Sequence, residues 1–146
     1  MSDLPKKRIL YLCTGNSCRS QMAEGFTNAL RGGEFEAHSA GVAPGRVDPR
    51  AVKAMAEAGV DIAGQQSKAV DPFIGQDWDW VVTLCDNANE ACPFFPGPVT
   101  RVHRGFDDPP LLAQGAADEQ EALAPYRRVR EEIKAMVLGL PGSLQD

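Results

Sequence analysis

Residues 8–20 carry a buried strand directly into a helix through a short polar loop, and that junction restricts the fold more than any other part of the chain. The run Ile9-Leu10-Tyr11-Leu12-Cys13 lacks the polar alternation of a half-exposed strand, the pattern of a strand covered on both faces. Beyond the loop, Met22, Phe26 and Leu30 stand four apart over residues 19–30, and Gly32-Gly33 follows, so the spacing predicts a helix with its stop. The same reading predicts strands at 35–39 (closed by Ala40-Gly41), 78–85 and 99–103. Asp48-Pro49 supplies an N-cap and a first-turn proline for a helix over 51–58, which ends at Gly59. A last amphipathic helix is expected over 118–138, with Pro125 marking either a break or the true first turn.

Strands separated by helices imply right-handed crossovers and an α/β fold: a four-stranded parallel sheet with helices on both faces. No internal repeat, low-complexity tract or long linker interrupts residues 1–146, so one domain is expected. Ligands of such sheets sit beyond the carboxyl ends of the strands. Cys13 ends the first predicted strand, Cys85 the third, and Asp107-Asp108 follow the fourth. All three chemical groups therefore fall on one edge.

Composition narrows the class of function. A net charge of -5 argues against general nucleic-acid binding, which needs a basic face. No apolar run is long enough for a signal sequence or a membrane span, so a cytoplasmic protein without membrane contact is expected. Four cysteines in a reducing compartment are not expected as structural disulfides. A monomer is the default expectation.

The loop Cys13-Thr14-Gly15-Asn16-Ser17-Cys18-Arg19-Ser20 sets a cysteine and an arginine with five residues between them. Gly15 and Asn16 tolerate left-handed backbone, so the loop can curl with its amides inward. Those amides and the following helix N-terminus make a nest for a tetrahedral oxyanion. Arg19 is placed to clamp two of its oxygens. The same field favours a nucleophilic thiolate at Cys13, toward which Ser20 is placed to donate. A Walker loop would need a Gly-Lys-Ser/Thr ending, which this segment lacks. Asp108, directly before Pro109, is the candidate acid for the departing oxygen.

Cys85 and Cys92 are separated by six residues, which is unlike the close pairs of a zinc site. His38 and His103 are isolated and read as ordinary strand residues, so no metal is expected. If the segment between the two cysteines is helical, their sulfurs begin too far apart to bond. A disulfide would then require the polar stretch Asn87-Ala88-Asn89-Glu90 to unwind, which suits a redox pair.

The segment from Cys13 through Gly25 resembles the signature of thioredoxin-coupled arsenate reductases, which share the fold of low-molecular-weight protein tyrosine phosphatases. The resemblance extends through Ser39-Ala40-Gly41, Val81-Val82-Thr83-Leu84-Cys85, Cys92-Pro93 and Gly105-Phe106-Asp107-Asp108-Pro109. It implies a triple-cysteine relay. Cys13 attacks arsenate, Arg19 binds its oxygens and Asp108 assists loss of water. Cys85 then attacks Cys13 and arsenite leaves. Cys92 attacks Cys85, giving a disulfide that thioredoxin reduces. No bound cofactor is implied, and Cys18 takes a supporting role.

Some members of that family bind potassium beside the loop, through residues matching Asn16, Glu24, Ser39 and a carboxylate. Lys68 stands at the carboxylate's position, so its ammonium is expected to take the ion's place. The family's His-Trp-Gly-Phe reads His103-Arg104-Gly105-Phe106, and residues 110–125 form a longer, alanine- and proline-rich stretch. The rival enzymatic reading is a tyrosine phosphatase using Cys13 and Asp108, with no role for Cys85 or Cys92. A non-enzymatic oxyanion sensor is the third.

Overall fold

The computed structural model describes residues 5–145. Four parallel strands form one sheet in the order β2-β1-β3-β4, with β1 at Lys7–Cys13, β2 at Phe35–Gly41, β3 at Trp80–Thr83 and β4 at Thr100–His103. The central β1 is fully buried from Ile9 onward, which is why its sequence has no polar alternation.

Side chains divide by face. Ile9 and Tyr11 enter one core with Met22 and Phe26 of α1 (Arg19–Leu30), Ala51 and Met55 of α2 (Pro49–Glu57) and Tyr126, Val129 and Ile133 of the long carboxyl-terminal helix. Leu10 and Leu12 enter the other core. Their neighbours there are Phe73 of the short α3 (Asp71–Ile74), Trp78, Val81 and Ala88 of α4 (Asp86–Ala91). Pro109–Leu112 is the short α5 and Glu119–Leu138 is α6. Among the described residues no helix is long and apolar enough to cross a membrane.

Three details depart from the sequence reading. β3 is four residues long rather than eight, because only Trp80–Thr83 pairs with Ile9 to Leu12 of β1. Trp78 lies outside the ladder, its indole donating to the Phe73 carbonyl at 2.8 Å. α6 runs unbroken through Pro125. Asp118 caps its start, accepting from the Glu121 amide at 2.8 Å, and Leu123, Tyr126, Val129 and Ile133 are buried along it. That packing outweighs the roughly 3 kcal/mol an interior proline costs. The one-turn helices α3 and α5 were not foreseen.

Pairing aligns the strand ends. Cys13 is opposite Gly41, Leu12 opposite Thr83, and Thr83 opposite His103. The Leu84 amide donates to Leu12 O at 2.9 Å and the Phe106 amide to Leu84 O at 3.1 Å. These bonds extend the sheet edge past β3 and set Cys85 beside Cys13.

Candidate active site

The loop after β1 is braced from outside. Thr14 O accepts from the Ala43 amide (2.9 Å), Gly15 O from the Gly45 amide (3.1 Å) and the Ser67 hydroxyl (2.8 Å), and Ser17 O from the Asp48 amide (3.0 Å). Asn16 O accepts from Gln21 Nε2 at 2.9 Å. A trans peptide points its carbonyl and the next N–H in opposite directions. Carbonyls held outward therefore turn the amides of Gly15, Asn16, Ser17 and Cys18 the other way, toward the side of a cavity of about 320 Å³.

That cavity is lined by Cys13, Thr14, Gly15, Ser17, Cys18, Arg19, Asp108 and Pro110. Two residues expected to bind the oxyanion, Asn16 and Ser20, lie behind the lining and are fully buried. The left-handed turn falls on Asn16 (φ 47°), not on Gly15. In that conformation Asn16 Nδ2 donates to Ser20 Oγ at 2.8 Å while its Oδ1 accepts from the Lys68 amide at 2.8 Å. Ser20 Oγ accepts in that bond, which leaves its own hydroxyl proton to donate. Gly41 lies against the loop so closely that a Cβ there would come 2.7 Å from Thr14 O and 2.9 Å from Asn16 N. Only glycine fits without displacing the loop backbone.

Arg19 is 9% exposed and is held by Phe106 O, which accepts from Nη1 at 2.9 Å, and by Asp108 Oδ1, 3.6 Å from Nη2. Its buried Nε has no hydrogen-bond partner among the described residues, a costly condition for a buried donor. Asp107 is taken by Arg128 at 2.9 Å. Asp108 is the carboxylate that lines the cavity, and it begins α5 without capping it.

Cys85 brings its sulfur within 3.8 Å of Cys13 Sγ. It also caps α4, accepting from the Ala88 amide at 3.4 Å, and lies 3.3 Å from Thr14 Oγ1. Asn87 Nδ2 donates to that same hydroxyl at 3.1 Å. The Cys13 thiol donates to Cys85, and this bond, helped by Thr14 and the Ala88 amide, pulls Cys85 down to about 5. The same bond, with burial, pushes Cys13 up. The pair behaves as one acid sharing one proton. Within the pair, three donors converge on Cys85, while at Cys13 the Arg19 guanidinium opposes the upward push of that bond and of burial.

This arrangement sets a pH prediction. Alkylation of Cys85 by iodoacetamide, followed by mass spectrometry, should give an apparent pKa near 5. The thiolate is then present at neutral pH and is lost only as pH falls through that value. Cys13→Ala removes the largest cause, so the apparent pKa should rise toward the ordinary thiol range near 8.5. No movement would assign the shift to Thr14 and the α4 amide instead.

Cys92 lies just past α4, half-buried, its thiol directed to Pro93 O at 3.5 Å. Burial pushes it up and nearby Arg101 opposes this. Lys68 places its ammonium 3.6 Å from Glu24 Oε1, the atom that accepts from Ser39 Oγ at 2.6 Å. The ammonium donates to Gln66 O at 2.8 Å and stands beside Glu24, while Asn16 is reached by the Lys68 backbone amide. Among the described residues no group of three or more His, Cys, Asp or Glu is placed to hold a metal.

Sequence reasoning missed the contacts around α4. His103, read as an ordinary strand residue, bridges Thr83 Oγ1 (2.8 Å) and Asp86 Oδ1 (3.1 Å). Arg101, two positions earlier on the same strand face, donates to the Asn89 carbonyl. The i, i+2 spacing of two cationic or polar residues on an edge strand was the available signal.

Comparison with known proteins agrees with this geometry. The arsenate reductase of Bacillus licheniformis is 49% identical over 130 residues, covering 89% of this chain and 91% of that protein. A solved arsenate reductase in a phosphate-binding state matches with TM-score 0.73 and 33% identity, over 95% of this chain and 99% of that one. A low molecular weight protein tyrosine phosphatase from T. tengcongensis matches with TM-score 0.75 and 25% identity, over 95% and 100% of the two chains. The model of the low molecular weight phosphotyrosine protein phosphatase family matches residues 8–146, and the chain belongs to that family.

Proposed function

We propose that the protein reduces arsenate to arsenite, passing two electrons along Cys13, Cys85 and Cys92 and recovering them from thioredoxin. The observation that carries this reading is the 3.8 Å separation of Cys13 and Cys85 sulfurs. A phosphatase has no use for a second thiol at that distance. The arsenate reductases related to this chain at close to half identity support the same substrate.

Arsenate enters the braced loop, where the inward amides and Arg19, including its unpartnered Nε, receive its oxygens. The proton shared by the two sulfurs moves to Cys85, freeing the Cys13 thiolate to attack arsenic. Asp108 protonates the departing oxygen, which leaves as water. Cys85 returns its proton to the Asp108 carboxylate, with which it lines a common cavity, and attacks the Cys13 sulfur. The S–S bond forms, the S–As bond breaks, and arsenic keeps the bonding pair and leaves as arsenite. Cys92 then attacks Cys85 and releases Cys13 as a thiolate. A thioredoxin dithiol reduces the Cys85–Cys92 disulfide by the same exchange. The electrons arrive as thiols, so the scheme uses no bound cofactor.

The test is arsenate-dependent NADPH oxidation by the wild type with thioredoxin and thioredoxin reductase, with arsenite measured directly. Turnover with equal arsenite supports the relay. Aryl phosphate hydrolysis without arsenate-dependent oxidation would make the protein a phosphatase that uses Cys13 and Asp108 alone.

A further inference from the structure

α4 has six residues, far fewer than an isolated helix needs to persist in water. Ala88 is its only buried residue, so apolar packing holds little of it. Asn87 donates to Thr14 Oγ1 at 3.1 Å and Thr83 Oγ1 to Asn89 Oδ1 at 3.4 Å, and β4 supplies two further contacts. His103 contacts Asp86 in the first turn. Arg101 Nη2 donates to Asn89 O, one of the carbonyls that the end of a helix leaves unpaired, and lies 3.4 Å from Asn89 Oδ1. A cation at that end also suits the helix dipole.

In helical form Cα of residues 85 and 92 are separated by about 10 Å at 1.5 Å per residue. A disulfide requires less than about 7 Å. Forming it must unwind α4 and break the bond from Arg101 to Asn89. Resting on the relay proposed above, we infer that Arg101 is a positioning residue for Cys92: it latches α4 in the dithiol form, and its release accompanies closure of the Cys85–Cys92 disulfide. Because the latch exists only in the dithiol state, it biases the pair toward reduction. Regeneration by an external dithiol is thereby favoured, and premature closure of the pair is opposed.

The test isolates the pair in full-length protein carrying Cys13→Ser and Cys18→Ser. Each form is equilibrated with reduced and oxidised dithiothreitol, where two protein thiols are oxidised as one dithiothreitol disulfide is reduced. The mixture is quenched by alkylation and resolved by mass spectrometry. Arg101→Met should raise the equilibrium constant for disulfide formation by about fivefold to tenfold, the size of one charge-assisted hydrogen bond near the surface. Arg101→Lys, with a single charged donor group in place of the fork, should fall between. A residue that stabilises both redox forms alike would leave the constant where it was. That outcome, or a shift toward the dithiol, overturns the inference.

Hydrogen exchange provides a second reading that needs no disulfide. In the reduced protein, Arg101→Met should speed exchange of the Asn89, Glu90 and Ala91 amides by a similar factor, while the amides of β1 keep their rates. Unchanged α4 exchange overturns the latch. If neither protein forms a Cys85–Cys92 disulfide, the relay fails and exchange alone decides on the latch.

Discussion

Replacing Cys92 with Ser is expected to limit arsenate reduction to a single turnover per enzyme molecule, however much thioredoxin is supplied. The variant retains the braced loop, Arg19, Asp108 and the Cys13–Cys85 contact at 3.8 Å. Arsenate can therefore still be attacked and arsenite released. What is lost is the thiol that carries oxidation out of the cavity. The Cys13–Cys85 disulfide joins sulfurs that are both buried, where a protein reductant cannot reach in line. A rapid burst of arsenite, stoichiometric with enzyme and followed by no further NADPH oxidation, is the expected trace. Sustained turnover in the variant would remove Cys92 from the relay.

The second large effect is on Cys13. Cys13→Ser should lower arsenate reduction by roughly four orders of magnitude or more and abolish the burst as well, the usual scale for loss of a nucleophile. A serine hydroxyl at this position is far less acidic than a thiol and stays protonated, and it cannot form a disulfide with Cys85. Quenched-flow measurement of arsenite in the first turnover separates the two variants: one equivalent for Cys92→Ser and none for Cys13→Ser. Arsenite released by Cys13→Ser at an undiminished rate would show that the reaction takes place outside this cavity.

Much of the frame was legible because hydrophobic patterning determines it. β1 reads as buried on both faces, and α1 matches its expected bounds of Arg19–Leu30. Cys13, Arg19 and Asp108 meet because the strand ends of a parallel sheet share one edge. What was not legible depends on contacts between distant segments. That Asn16 and Ser20 stand behind the cavity follows from bonds to Lys68 and to each other, which no spacing announces. The lowering of Cys85 depends on Cys13, the Thr14 hydroxyl and the Ala88 amide converging on its sulfur from separate segments. Pro125 misled the reading of α6 because local propensity was opposed by a buried face.

The sparse anchoring of α4 has one further consequence. Opening it would withdraw a single methyl group, that of Ala88, from the interior. A void of that size is small, and almost no new greasy surface would meet water. Each catalytic cycle could then rearrange the backbone beside the cavity without making the protein adhesive to its neighbours or loosening the layers beneath. Under the proposed relay the protein would change shape at one corner while its apolar surface stays almost the same in both forms.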